Sequence, residues 1–195
     1  MRGRIYISGA FTCHSSKCNP MGQLDNDPHF WEKPPTWGIC RPDIRENLKI
    51  GDYIFYVLPN KSDMPQMVYG YMQIKEKISH ASAYHRPELF LKRMGNKKNP
   101  NGNIMVDSRG NYNPFDKNRD HKTRFDRIKK HYVIGDQRNS EFLSLAKIKK
   151  LAPGFLAELN RIFGFQKARV IEAVSRGGRK LSERQVNELL KWLNQ

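Results

Sequence analysis

Amide, aromatic and guanidinium side chains in the first 45 residues suit the recognition of a nucleobase. An amide reads a base edge with one donor and one acceptor, and an aromatic ring stacks on a base that has left the helix. Arg41 and Arg45 are four residues apart, which predicts one shared helix face able to grip a phosphate or a sugar-linked group. The predicted base-pocket residues are Phe11, Asn19, Trp37, Arg41 and Arg45.

Asp25, Asp27 and Asp43 are the candidate catalytic residues. An enzyme that cuts an N-glycosidic bond holds the base outside the stack, stabilises an oxocarbenium-like sugar and positions a water, and a carboxylate suits these tasks. Spacing singles out none of the three, because loop aspartates commonly form turns or caps. Two alternatives stay open: the arginines as partners of Asp43 or Glu46 in surface ion pairs, and the tryptophan as a core side chain.

Cys13, His14, Cys18 and Cys40 are the candidate metal ligands. The spacing Cys-x4-Cys with one distant cysteine lacks the paired cysteines of common zinc sites, so buried free cysteines and no metal are predicted. The sequence has no Gly-rich phosphate loop, no HExxH and no G-x-S-x-G motif, so no cofactor is predicted either.

The net charge of the 195 residues is +16, from 35 Lys and Arg against 19 Asp and Glu. Residues 1–88 are nearly balanced, whereas residues 89–131 carry 12 basic and 4 acidic side chains and residues 140–195 carry 11 and 5. Basic regions beside a neutral core are typical of a nucleic-acid binder, the alternative being a solvated basic surface. The predicted nucleic-acid backbone contacts are Lys97, Lys98, Arg109, Lys122, Arg124, Arg127, Lys129 and Lys130.

Composition excludes several classes of protein. At 38% hydrophobic residues, the chain has no apolar run near the roughly 20 residues that span a bilayer, so no membrane partner is predicted. The N-terminus becomes polar too early for a secretory signal. Three cysteines make a poor disulfide framework, which predicts a reduced, cytoplasmic protein.

Hydrophobic patterning predicts strands over residues 4–11, 52–58, 66–78 and 132–134, and a short helix over 43–48. The loop that ends near residue 38 is long for a compact domain, which indicates a functional loop. After residue 140 the period becomes helical, with a break predicted at Pro153-Gly154 and a capping box predicted from Ser182 and Gln185. These helices carry either a second DNA-contacting surface or the basic outer side of a packing lid. The basic residues concerned are Lys147, Lys149, Lys150, Arg176, Arg179 and Lys180.

Residues 5–143 resemble the second type of nucleotide modification associated domain. The resemblance rests on Asn19-Pro20, on Cys40-Arg41-Pro42-Asp43-Ile44-Arg45 and on Gly51-Asp52, with Tyr84, Pro87 and Phe90 matching a later Tyr, Pro and aromatic. The stretch 43–78 is also similar to the PUA-like superfamily of small barrels. These resemblances imply an α+β fold: a PUA-like small β-barrel core over residues 1–140 that binds a modified nucleotide, and a basic helical bundle over residues 141–195.

The resemblance implies that the pocket and catalytic candidates meet at one end of the barrel. It further implies a protein that binds double-stranded, base-modified DNA, holds a modified base such as a glycosylated one flipped out, and excises it as a DNA glycosylase in defence against phage. The alternatives are a non-catalytic PUA-like reader that recruits a partner, and an RNA-binding module of the same fold.

Overall fold

Seven strands form the framework of the residues that the computed structural model describes, which are 1–8, 27–30, 33–60, 65–95 and 102–195. Four of them, β1, β3, β4 and β5, confirm the strands predicted from hydrophobic patterning, although their ends differ from the predicted ones. The strands are β1 (Gly3–Ile7), β2 (Thr36–Trp37), β3 (Tyr53–Val57), β4 (Val68–Ile78), β5 (Tyr132–Gly135), β6 (Glu141–Phe142) and β7 (Arg179–Leu181).

The helices are short in the first part of the chain and longer near its end. They are α1 (Pro42–Arg45), α2 (His80–Tyr84), a 3-10 helix (Pro87–Lys92), α3 (Arg119–Thr123), α4 (Phe125–Ile128), α5 (Leu145–Phe163), α6 (Val170–Val174) and α7 (Glu183–Leu193). None of the helices in the described ranges is long and apolar enough to cross a membrane. The cytoplasmic location stays a prediction.

The chain divides into two compact units that alternate along the sequence. Unit 1 contains the described parts of residues 1–23, 51–73 and 140–195, and unit 2 contains those of residues 24–50 and 74–139. The chain leaves unit 2 for the last time between residues 139 and 140. The two predicted domains themselves stay a prediction.

In unit 1, the apolar strand β3 lies between β1 and β4. β1 and β3 are parallel, with Gly3 opposite Tyr53, and β7 adds to the other side of β1 as an antiparallel strand. A Cβ atom on Gly3 would lie 2.7 Å from Val186 Cγ2, so glycine there permits the close approach of α7 to the sheet. Phe155 of α5 stacks on Trp192 of α7, with 5.8 Å between the ring centroids.

The helix break predicted at Pro153-Gly154 is wrong, because α5 runs without interruption through both residues. Its buried side chains recur every three or four residues, at Ile148, Leu151, Phe155, Leu159 and Ile162. Proline and glycine lie on the exposed face of the helix. Burial of one continuous apolar stripe offsets the roughly 3 kcal/mol that an interior proline costs.

Unit 2 contains the segment that carries the Cys-Arg-Pro motif. The second half of β4 pairs with β5, which pairs with β2, so that Trp37 lies opposite Val133. Two apolar clusters pack beside these strands, one around Leu89, Ile104 and Tyr132 and one around Ile39, Met105 and Ile128. The motif therefore begins directly at the end of a buried strand.

The strands follow the order β2-β5-β4-β3-β1-β7, with β6 paired to β4. Within the described ranges this sheet has two ends and does not close on itself. The fold is therefore of mixed α+β type, as predicted, and closure into a PUA-like barrel is not confirmed. The sequence also missed β2, β6 and β7, because two or three residues are too few to show an alternating pattern.

Candidate functional site

The backbone of Gly38, Ile39 and Cys40, here called the motif segment, donates its three N–H groups to one carboxylate. Gly38 N lies 2.6 Å from Asp27 Oδ1, Ile39 N lies 2.9 Å from Oδ2, and Cys40 N also donates to Oδ2. Asp27 is buried, and burial raises the pKa of its carboxyl group against the opposing effects of the Arg45 charge and these three hydrogen bonds. This candidate catalytic residue holds the motif segment in place.

Arg45 binds the carbonyl groups of the same segment. Its Nη2 donates to Ile39 O at 2.9 Å, its Nε donates to Cys40 O at 3.1 Å, and its Nη1 donates to the carbonyl of His131. The side chain is fully buried, with the guanidinium carbon 6.0 Å from the centre of the Trp37 ring. Asp27 therefore accepts hydrogen bonds from the N–H groups of one backbone segment, and Arg45 donates hydrogen bonds to its carbonyl groups. Buried polar groups require such partners.

His80 binds the one carbonyl group of the motif segment that Arg45 leaves. Its Nδ1 accepts from Met105 N at 3.1 Å, so the ring proton lies on Nε2, which donates to Gly38 O at 2.9 Å. Burial, aided by the Arg45 charge, lowers the pKa of His80 to about 3. The imidazole is therefore neutral and serves as a fixed donor and acceptor.

A buried polar network continues from Asp27 into the core of unit 2. Asn103 Nδ2 lies 3.3 Å from Asp27 Oδ1, and Asn103 Oδ1 accepts from Tyr132 Oη at 2.6 Å. Thr36 Oγ1 lies 3.1 Å from Asn103 Nδ2. Sequence analysis missed His80, Asn103 and Tyr132, because no local motif marks residues that meet through the tertiary structure.

Arg41 and Arg45 do not share a helix face, contrary to the prediction. Arg41 precedes α1 with left-handed backbone angles (φ 48°, ψ 57°) and forms a two-bond ion pair with Asp43, at 2.9 Å from Nε to Oδ1 and 2.6 Å from Nη2 to Oδ2. The guanidinium lowers the pKa of the Asp43 carboxyl group. The Asp43 side chain is 45% exposed. Cys40 is exposed as well, so the motif presents Cys40, Arg41 and Asp43 outward.

The basic helices lie beside this motif through one ion pair. Arg127 of α4 donates from Nε to Glu46 Oε2 at 3.0 Å and from Nη2 to Oε1, and Glu46 directly follows α1. Lys129 lies 2.6 Å from Asp126 and over the Phe125 ring. Two of the predicted backbone contacts, Arg127 and Lys129, are therefore paired with acidic side chains, which partly neutralise their charge.

Four of the other predicted backbone contacts are exposed: Arg109, Lys122, Arg124 and Lys130. Arg124 donates from Nε to Asp120 O at 3.2 Å, and Arg109 follows a turn in which Asp107 accepts from its backbone N–H. Lys122 and Lys130 form no ion pair with any residue of the described ranges. Lys97 and Lys98 lie outside those ranges.

Several predicted residues lie outside the described part of the chain: Phe11, Asn19, Asp25, Cys13, His14 and Cys18. Within the described part, no three His, Cys, Asp or Glu side chains are grouped to hold a metal ion. Trp37 is fully buried, which fits the alternative of a core aromatic; its stacking role stays a prediction.

A shallow cleft of about 210 Å³ lies elsewhere in unit 2. It is lined in part by Lys75, Glu76, Arg86 and Glu88, and Arg86 pairs with both glutamates. None of the predicted pocket or catalytic residues lines this cleft. Both glutamates of its lining are paired with Arg86, and we do not assign the cleft to nucleic-acid binding.

Comparison with known families gives one match. The sequence matches the family described as nucleotide modification associated domain 2 over residues 23–148. This range covers the motif segment, the buried side chains that bind it and the basic helices. No match was found among curated proteins or among solved structures.

Proposed function

This chain belongs to the nucleotide modification associated domain 2 family, and from that premise we propose that it binds DNA carrying a modified base. Because the family is associated with nucleotide modification, the match supports a function related to modified bases. The finer proposal is that unit 2 holds the modified base flipped out beside the motif, while its basic helices bind the phosphate backbone.

One observation carries the proposal: exposed cations lie in one stretch of the sequence, and an ion pair joins that stretch to Glu46, which follows the family motif. We define the basic segment as residues 117–130. Lys117, Arg119, Lys122 and Lys130 are exposed there and form no ion pair with described residues. Unpaired cations near one another attract a polyanion, since each phosphate contact releases bound counterions. The Arg127–Glu46 ion pair keeps this positive surface beside Arg41 and Asp43.

The experiment that tests binding compares two DNA duplexes of one sequence, with and without glucosylated hydroxymethylcytosine, at one salt concentration. A lower Kd for the modified duplex supports recognition of the base, because the phosphate term is common to both. Equal Kd values would remove recognition of this base and leave only electrostatic binding. RNA of the same sequence, added as competitor, separates a DNA binder from an RNA binder.

Excision of the base is the second candidate function, and Asp43 is the observation that favours it. A half-exposed carboxylate whose pKa is lowered by Arg41 stays ionised, as stabilisation of an oxocarbenium-like sugar requires. Asp27, which is committed to the motif segment, and Asp25 are the other proposed catalytic residues. Defence against phage with modified genomes is the setting that we propose for such an activity.

Mass spectrometry of bases released from the modified duplex tests excision directly. Release by the unchanged protein, lost in Asp43→Asn with DNA binding retained, would support a DNA glycosylase that uses this carboxylate. Binding without release would leave a reader that holds the modified base and recruits a partner.

A further inference from the structure

We propose that the exposed ring of Phe115 is a stacking platform for an unpaired nucleobase; this inference rests on the proposed function and names a binding residue for it. Phe115 is 65% exposed, which is unusual for a large apolar side chain. Stacking on a base would cover this ring without demanding a particular sequence, because every base has a π-face.

The ring is held by its surroundings. A Cβ atom on Gly95 would lie 2.8 Å from Cγ and 2.9 Å from Cε2 of Phe115, so the ring lies directly on the Gly95 backbone. The buried side chain of Asn113 donates to Met94 O at 3.0 Å and accepts from Phe115 N at 3.0 Å. These contacts fix one face of the ring and reduce the entropy lost on binding.

The charges that follow the ring match a nucleic acid. Lys117 and Arg119 are exposed two and four residues after Phe115. The intervening acid, Asp116, has only 6% of its side chain exposed, and its Oδ2 lies 2.9 Å from His121 Nδ1. Of the charged residues from 116 to 119, only Lys117 and Arg119 are exposed, and the exposed acid Asp120 follows them. The two cations next to the ring favour a phosphate backbone beside it.

The neighbouring aromatic residues have structural roles instead. Tyr112 packs edge-on against Phe125, with 5.1 Å between ring centroids, and its hydroxyl group donates to the carbonyls of Asp116 and Asn118. Phe125 packs on the core cluster of unit 2. Phe90 is 48% exposed, but the Arg93 guanidinium lies 4.8 Å from the centre of its ring. Phe115 is the better platform.

The test compares Phe115→Leu with the matched control Phe90→Leu. The probe is a 12-nucleotide single strand of thymidines, with a second strand of equal length in which the central bases are abasic. We expect Phe115→Leu to bind the first strand about five- to a hundredfold more weakly, to keep the salt dependence of binding, and to match the unchanged protein on the abasic strand. The control should bind both strands like the unchanged protein.

Each outcome decides the inference. Equal affinity of Phe115→Leu and the unchanged protein for the base-containing strand would overturn the platform and leave the proposed function standing. Failure of the unchanged protein to bind either strand or the modified duplex would overturn both. A change in oligomeric state in Phe115→Leu, measured by light scattering, with strand affinity unaltered, would assign the ring to a protein contact instead. Thermal melting shows whether each variant is folded.

Discussion

At the scale of single residues, the family motif has an inner part that supports the backbone and an outer part that faces the solvent. Asp27, Arg45 and His80 together bind the N–H and C=O groups of the motif segment. Arg41 and Asp43, which lie next to that segment, bind each other at the surface. Residues of the same chemical type therefore have different roles, and substitutions separate them.

Replacement of Arg45 by Met should lower the free energy of unfolding by about 3–5 kcal/mol. The carbonyl groups that Arg45 binds would lose their donor, and the buried Asp27 would lose the positive charge near it. The matched change Arg41→Met breaks an ion pair whose side chains are 28% and 45% exposed, so it should cost about 1 kcal/mol or less. Urea unfolding measures both. Similar losses for the two variants would contradict the division of roles, and DNA affinity should fall in Arg41→Met although that variant stays folded.

The buried histidines predict a loss of stability in acid. The pKa values of His80 and His29 are lowered to about 3 by burial, so the folded protein keeps both neutral. The unfolded chain takes up these protons near its ordinary pKa of about 6.5, so it binds more protons below that pH and stability falls as the pH drops towards 3. Each histidine should contribute a slope of about 1.4 kcal/mol per pH unit well below pH 6.5.

Urea unfolding of the variant His80→Gln between about pH 7 and pH 5 tests this slope. The variant should be less stable at neutral pH, since the bonds to Gly38 and Met105 are altered, yet show a shallower decline with acid. A slope equal to that of the unchanged protein would show that His80 does not resist protonation in the folded state.

At the scale of elements, α5 shows how burial decides the length of a helix. Its apolar stripe continues from Ile148 to Ile162, while Pro153 and Gly154 lie on the exposed face. Local propensity predicted a break, and the tertiary packing of the stripe is the stronger effect. The capping box at Ser182 and Gln185 is confirmed, because both of its hydrogen bonds lie within one helical turn.

Pro153→Ala should therefore raise the free energy of unfolding by about 1–3 kcal/mol, because it restores a backbone donor inside α5. Gly154→Ala should raise it by about 0.5–1 kcal/mol, since the added Cβ would lie 3.9 Å from Trp192 Cζ2, an ordinary contact. Thermal and urea unfolding measure both changes. Destabilisation by Pro153→Ala would mean that the helix needs its proline for a bend.

At the scale of the whole molecule, the charge of +16 is divided between the two units, and the proposed function assigns DNA binding to unit 2. Lys122 and Lys130 of the basic segment form no ion pair with a described residue, and Lys149 and Lys180 are exposed in unit 1. Two pairs of lysines with equal charge therefore provide a matched comparison between the units.

The double variant Lys122→Gln/Lys130→Gln should weaken DNA binding and reduce the slope of log K against log salt concentration by about 1–2. The control double variant Lys149→Gln/Lys180→Gln removes the same charge from unit 1 and should leave that slope nearly unchanged. Fluorescence anisotropy over a salt series measures both. Equal reductions would show that total charge, rather than the basic segment, binds the DNA.

The sequence by itself determined the features that depend on neighbouring residues. The strands β3 and β4 follow from their apolar residues, α7 begins at its capping box, and the excess of positive charge lies in residues 89–131 and 140–195. The family motif is likewise a local pattern, and its assignment is confirmed by the match over residues 23–148. Alternation, capping and charge are short-range properties that can be seen without knowing the fold.

Only the tertiary structure decided what the candidate site residues contact. The Asp27 carboxylate binds Asn103, 76 positions away in the sequence, and Arg45 binds the carbonyl of His131, 86 positions away. Asp27, Asn103 and Arg45 are buried. Burial makes the pairing of these polar groups obligatory, but which groups pair depends on how strands and loops pack. The same packing leaves Phe115 exposed and Trp37 enclosed, although both are large aromatic residues.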